Sequence, residues 1–144
     1  MSLNLLTLLL GSVRRHRLIR EYQSSDLADL LGVWEAASAV AHSFLTPDFL
    51  QQERHNIPNV YLPIAETWVA ESGSSVVGFI ALIGNEVGAI FVHPSRHGVG
   101  FGKALMDKAR SLRGELEVEV FSKNSIGRAF YDRYGFEFMH ETLH

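Results

Sequence analysis

Two groups of residues in this sequence have the types and the spacing to do chemistry. The first is the loop His97-Gly98-Val99-Gly100-Phe101-Gly102-Lys103, with glycines at alternate positions. Before it, Ala89 to Val92 read as a buried strand that Pro94 ends; after it, Phe101, Leu105, Ala109 and Leu112 recur at helical spacing. The first turn of a helix carries N–H groups without intrahelical partners, and its dipole favours negative charge. Glycine lets the backbone approach closely and adopt positive φ. Strand, glycine loop and helix together predict a site for a phosphate-bearing ligand. The second group is Asn124 and Tyr131, two turns apart on one face of a predicted helix, with Gly127 on the same side. A mid-helix glycine costs about 1 kcal/mol relative to alanine, so something is expected to pack closely against it. Ile126, Phe130 and Tyr134 form a separate stripe that reads as core, which leaves Tyr131 able to face a cleft.

These groups need elements to position them. A strand is predicted over Leu18 to Tyr22, then a helix capped at Ser24-Ser25-Asp26 and running to about Val40, with Leu27, Leu30, Leu31, Trp34 and Ala41 on one face. Thr46-Pro47 starts a second helix to about His55, and the two prolines of Asn56 to Pro63 read as a loop. Strands over Thr67 to Glu71, Val76 to Ile83 and Glu86 to Val92, joined by the turns Gly73-Ser74-Ser75 and Gly84-Asn85, are predicted antiparallel neighbours. The helix Gly100 to Leu112 leads to Leu116 to Phe121, which alternates apolar and acidic residues. Strand, helix, strand implies a parallel pair with a right-handed crossover. A last helix runs from Asn124 or Ser125 to Tyr134, stopped by Gly135, and a final strand is predicted over Phe136 to His140. The fold class is α/β with a mixed sheet, antiparallel first and then parallel; ligands in such sheets sit at the carboxyl ends of the parallel strands.

Composition narrows the function. The chain has 144 residues, 47% hydrophobic and 20% charged, which suits one soluble domain. A net charge of −3 argues against a general nucleic-acid binder. With no cysteine there is no disulfide, thiolate nucleophile or cysteine zinc site, and the seven histidines lack a ligand spacing, so no metal is expected. The apolar run Met1 to Leu10 precedes its charges, Arg14-Arg15-His16-Arg17, the reverse of a signal peptide, and is too short to span a membrane. Residues 1–16 are therefore read as an N-terminal extension, residues 17–144 as one domain, and the location as cytoplasmic with no membrane partner.

Val92-His93-Pro94, the loop from His97 to Leu105, Asn124, Phe130-Tyr131 and Gly135-Phe136 together resemble the GNAT acyl-CoA N-acyltransferases over roughly Arg17 to His140. The resemblance implies a GNAT-like fold with a splayed parallel pair and acetyl-CoA as co-substrate lying in the splay. It implies that N–H groups from about Gly98 through Val99, Gly100, Phe101 and Gly102 to Lys103 hold the pyrophosphate. It implies also that the backbone of Ile90, Phe91 and Val92 pairs with the pantetheine arm, that Asn124 bonds that arm, and that Tyr131 protonates the departing thiolate. The family usually has Arg or Gln where this chain has His97, so weaker or pH-sensitive coenzyme binding is expected. The family also adds a strand after the one at Phe136, so either the chain continues or a partner, as in a homodimer, completes the sheet.

The implied reaction is direct attack of a primary amine, of a small molecule or a peptide, on acetyl-CoA. A lysine-like amine has a pKa near 10.4, and keeping it neutral at pH 7 costs roughly 4.6 kcal/mol. Glu86, His42 and Glu66 are the candidate bases, and a backbone N–H near Phe91 or Val92 the oxyanion donor. Lys103, Arg96 and Arg128 are candidates for the coenzyme phosphates, and His42-Ser43-Phe44 for the acceptor pocket. Two other readings compete. A dinucleotide oxidoreductase would use Gly98-x-Gly100 with Glu119 as its ribose acid, but the third glycine is misplaced and only one crossover unit exists. A non-catalytic GNAT-like sensor would keep the coenzyme and lack turnover.

Overall fold

The computed structural model describes residues 18–139, so the N-terminal extension and His140, the last residue of the predicted final strand, lie outside it. Strand β1 (Leu18–Glu21) is followed by helices α1 (Leu27–Ala41) and α2 (Pro47–Asn56), then strands β2 (Glu66–Ser72), β3 (Ser75–Ile83) and β4 (Glu86–Val92). Helix α3 (Phe101–Arg113), the short strand β5 (Glu117–Val118) and helix α4 (Ser125–Tyr134) complete the described chain. The strands form one sheet in the order β1-β2-β3-β4-β5. Every pairing is antiparallel except β4 with β5, which is parallel. The two hairpin turns fall at Gly73 and Gly84, whose φ angles of 64° and 60° are the left-handed values a tight turn requires.

The sheet is covered on both faces. On one, Leu105, Met106 and Ala109 of α3 are fully buried against Ala70, Ile80, Leu82 and Val87, with Phe130, Tyr131 and Tyr134 of α4 packed alongside. On the other, Leu30, Val33 and Trp34 of α1 and Ile57 pack on Val69, Val76 and Phe79. Strand β4 serves both layers: Ile90 and Val92 meet the α3 side, Ala89 and Phe91 the α1 side. Burying each large apolar side chain contributes about 1.5–3 kcal/mol, so these two layers fix the sheet against which the site is built.

Three predicted segments differ. The expected loop Asn56 to Pro63 is helical: α2 ends at Asn56, a wide turn of π type spans Ile57–Tyr61, and one α turn spans Leu62–Ile64. Pro58 and Pro63 are each the second residue of their turn in a helical run unbroken from Pro47 to Ile64, and the run changes its bonding from α to π type at the first of them, where a proline has no N–H to give; Ile57 is buried beneath. The strand expected over Leu116 to Phe121 pairs only at Glu117 and Val118. The expected strand at Phe136 is absent over the described residues 136–139; Phe136 packs on Tyr131 and Tyr134, whereas Phe138 and Met139 are exposed. Ile126, read as core, is exposed as well.

Candidate active site

The parallel strands β4 and β5 pair at Glu86 with Glu117 and at Val87 with Val118, and no further pair forms among the described residues. At the point of divergence β4 carries a bulge: Ala81 stands opposite Ala89 and Leu82 opposite Val87, so Gly88 is the extra residue. A bulge bends its strand and ends regular pairing, and here it does so where the two strands part. A cleft of about 780 Å³ opens at the gap, lined from both layers: by Trp34, Leu45 and Leu50 on one side of the sheet, by Gly100, Gly102 and Phe130 on the other. The carboxyl half of β4, Gly88 to Val92, forms part of its wall. That is why Ala89 to Val92, which read as a buried strand, are only half-buried.

The glycine loop meets the cleft with its backbone. Gly98 and Gly100 hold φ angles of 77° and 97°, and Gly100 is the left-handed residue that opens α3. Among the described residues no acceptor faces the N–H groups of Gly98, Val99 or Gly100, and Gly102 and Lys103 lie in the first turn of α3, where a helix has no acceptor of its own to offer. A Cβ on Gly102 would come 3.0 Å from Phe130 Cε1, so glycine there lets α3 and α4 approach. His97, the departure from the family pattern, places Nε2 2.8 Å from the Val92 carbonyl oxygen. A carbonyl only accepts, so Nε2 carries the hydrogen, and the ring ties the loop to the end of β4. That bond also occupies the Val92 carbonyl, which leaves Ile90 and Phe91 the better placed of the three residues expected to pair with a ligand. His97, Gly98, Gly100, Phe101, Gly102 and Lys103 all line the cleft; Val99 is exposed outside it. Lys103 is paired with Asp107 at 2.9 Å on the surface, Arg96 lines the cleft, and Arg128 instead holds the Ser122 carbonyl.

Asn124, Gly127, Tyr131 and His42 come together across the cleft. Asn124 Oδ1 accepts the Gly127 N–H at 2.8 Å, capping α4, and the amide lies so close that a Cβ on Gly127 would meet it at 2.6 Å. That accounts for the glycine, which stands in the first turn of α4 rather than in its middle. With Oδ1 committed to the cap, Nδ2 points away and donates to His42 Nε2 at 3.0 Å. A nitrogen accepting this bond carries no proton, so His42 is a neutral imidazole with its hydrogen on Nδ1. Burial among the rings of Phe44, Phe91 and Phe121 holds its pKa below the ordinary 6.5. Tyr131 packs edge-on against Phe130 and Phe136, and burial pushes its phenol up to about 12. Tyr131 lines the cleft, and its hydroxyl bonds to no described residue.

The other predicted acids are elsewhere. Glu86 stands at the closed end of the β4–β5 pair, opposite Glu117, and does not line the cleft. Strand direction is the reason: β4 enters at Glu86 and opens only past Gly88. Glu66 is taken up by Arg113 at 2.8 Å and the Trp68 indole at 2.8 Å, and the hydrogen bond from Arg113 holds its carboxyl below the usual range. Sequence reasoning missed Glu53, Phe121 and the role of Gly88. Only the Gly88 position carried a signal, an isolated glycine within a strand pattern. Among the described residues no group of acidic, histidine or cysteine side chains is arranged to hold a metal, and no helix is long and apolar enough to cross a membrane.

A family model described as an acetyltransferase (GNAT) domain matches residues 63–138. The chain is 32% identical over 120 residues to the peptidyl-lysine N-acetyltransferase YiaC of Escherichia coli (strain K12), covering 83% of this chain and 82% of that one. It is 30% identical over 120 residues to the peptidyl-lysine N-acetyltransferase YjaB of the same organism, covering 83% and 81%. The solution structure of apo YjaB from Escherichia coli superposes with a TM-score of 0.74 at 30% identity, covering 84% of this chain and 82% of that one. The PaiA N-acetyltransferase of Thermoplasma acidophilum, in complex with coenzyme A, shares the fold with a TM-score of 0.72 at 20% identity, covering 88% and 92%. Splayed strands, an amide-lined loop at the gap and these likenesses lead to one conclusion: the chain belongs to the GNAT family of acetyltransferases.

Proposed function

We propose that this acetyltransferase moves an acetyl group from acetyl-CoA to a primary amine inside the cleft at the β4–β5 gap. The observation that carries the reading is the parallel pair that stops after Val87 and Val118 and opens through the sheet beside unpartnered loop amides. Donors at Gly98, Val99 and Gly100, with Gly102 and Lys103 in the first turn of α3, suit a diphosphate. The Ile90–Phe91 backbone suits an extended amide-bearing arm laid along β4 in the manner of an added strand. Asn124 borders the same cleft, with its amide nitrogen free to turn from His42 to a ligand carbonyl.

His42 is our choice of base. It is neutral, it is held below 6.5, and its Nε2 lone pair is taken by one neutral hydrogen bond from Asn124, which is given up when the nitrogen accepts a proton. The amine reaches it as an ammonium ion; loss of one proton to Nε2, directly or through water, leaves the nitrogen pair free to attack the thioester carbon. The carbon–sulfur bond then breaks, sulfur leaves with its electron pair, and the second proton that the new amide nitrogen sheds passes to the thiolate, giving the acetamide and the coenzyme A thiol. A phenol at about 12 is a weaker acid than a thiol near 8.5, so Tyr131 suits a hydrogen bond that steadies the departing sulfur more than outright loss of its proton. Glu86 has no part in this scheme because it lies outside the cleft.

Among the described residues the sheet has one parallel pair, which gives a dinucleotide enzyme no second crossover unit there. Relatives named peptidyl-lysine N-acetyltransferases favour a lysine-like amine, in a peptide or as a small molecule. The test is thiol release from acetyl-CoA with a panel of amines that includes free lysine-like amines and lysine peptides. Release that depends on the amine supports the reading; coenzyme binding without release from any amine would leave the sensor reading in its place.

A further inference from the structure

The cations lining the cleft all come from one layer. Arg96, Lys103, Arg110 and Arg133 all come from the loop, α3 or α4, on the face where an anionic coenzyme would lie. On the α1–α2 wall the lining is largely apolar, Trp34, Leu45, Phe49 and Leu50 among it, and the carboxylate that α2 contributes is Glu53. Tyr61 donates its hydroxyl hydrogen to Glu53 Oε1 at 2.9 Å, reaching back from the wide helical turn that follows α2. This bond also raises the Tyr61 pKa, after burial, so the phenol stays a donor. One donor uses one of roughly four lone-pair positions on a carboxylate. Glu53 is half-buried, makes no ion pair among the described residues, and is held at the edge of an apolar trough; the neighbouring Arg54 turns outward to Glu35 at 2.8 Å. The other acids of the cleft are Asp107 on α3, already held by Lys103 and the Tyr134 hydroxyl, and Glu119, past the end of β5; the nearer titratable group on the α1 side is His42.

We infer that Glu53, oriented by Tyr61, binds a second positive charge on the amine acceptor, so that the enzyme prefers acceptors carrying two cationic groups joined by an apolar spacer. The inference rests on the acetyl-transfer reading above and adds the acceptor class to it. The apolar trough takes the spacer, the far cation meets Glu53, and the near amine is delivered to the β4–β5 gap. A charge-assisted hydrogen bond in a partly desolvated trough is worth enough to change affinity by about tenfold or more.

The test uses hexylamine and hexamethylenediamine, equal in spacer and different in the second charge. Steady-state thiol release gives KM for each in the wild type, Glu53→Gln, Glu53→Asp and Tyr61→Phe. The wild type should favour the diamine, and Glu53→Gln should shrink the KM ratio between the two amines about tenfold with kcat and the acetyl-CoA KM little changed. Glu53→Asp should restore part of the ratio, and Tyr61→Phe should shrink it less. A merely structural role for Glu53 would move both amines together; an unchanged ratio in Glu53→Gln overturns the inference. Calorimetric titration of the diamine into the full chain loaded with coenzyme A reads the same contact without turnover. Weaker binding in Glu53→Gln with no thiol release from any enzyme would uphold the Glu53 contact and sink acetyl transfer. Equal binding in both would sink the contact.

Discussion

Replacing Asn124 by serine separates two tasks that one amide performs. The cap on α4 uses Oδ1, and the bond to His42 uses Nδ2. Serine is as good a cap as asparagine, so Asn124→Ser should leave stability within a few tenths of a kcal/mol, whereas Asn124→Ala should lose about 1 kcal/mol. Neither variant can donate to His42 Nε2. The lost bond favours only the neutral imidazole, because a protonated Nε2 cannot accept. At about 1 kcal/mol for a neutral hydrogen bond and about 1.4 kcal/mol per pH unit, the His42 midpoint should rise by roughly 0.7 units in both variants. The assay is an NMR titration of the imidazole Cε1–H, assigned by its loss in His42→Gln. The wild-type midpoint should lie below 6.5, because burial opposes the charge. A midpoint in Asn124→Ser equal to or below the wild-type value would refute the assigned tautomer and the bond behind it.

Further predictions follow from the same geometry. Because the folded state holds His42 below 6.5, the unfolded chain binds its proton first as pH falls, and stability should drop as pH is lowered through 6.5; denaturant titrations of wild type and His42→Gln would show that slope only in the former. Tyr131→Phe removes one donor aimed at the charge on the departing sulfur and should lower turnover about a hundredfold with coenzyme affinity little changed, measured by thiol release and calorimetry; unchanged turnover removes Tyr131 from the mechanism. Gly102→Val places a branched side chain where a Cβ already meets Phe130 at 3.0 Å, so it should lose about 1–3 kcal/mol of stability and weaken coenzyme binding, read by thermal melts and calorimetry. Asp26→Asn disrupts a buried carboxylate held by both Arg20 nitrogens at 2.9 Å. It should lose about 2 kcal/mol, discounted for the partly exposed arginine. The hydrogen bond from Arg20 holds the Asp26 carboxyl below 3.8, so the pair stabilises the fold above that pH and is lost as pH falls through the lower, folded-state value.

What could be read in advance was whatever depended on local rules. Gly73 and Gly84 announced their hairpins because only a residue tolerant of positive φ turns the chain there. The loop and α3 were legible because Phe101, Leu105 and Ala109 keep one helical face and all three are buried. Asn124 and Tyr131 share a helix face, and both line the cleft. Illegible features depended on distant parts of the chain. Pro58 and Pro63 look like breakers, yet the helical run from Pro47 continues through both by changing to a wider turn. Leu116 to Phe121 has perfect strand alternation, yet pairing stops at Val118 because β4 bends away at Gly88. Glu86 looked catalytic by residue type, and only the direction of β4 shows that it enters at the closed end. Glu53 has no sequence signal at all, since its meaning comes from Tyr61 and from the wall it stands in.

The gap between β4 and β5 as the seat of the thioester carrier is tested most directly by adding acetyl-CoA to the isotope-labelled protein and following its backbone amides by NMR. Saturating shifts should appear at Gly98, Val99 and Gly100, extend through Gly88 to Val92 and the start of α4, and leave β1 and β2 nearly still. Shifts centred away from the loop, or none with acetyl-CoA in large excess, would contradict the account.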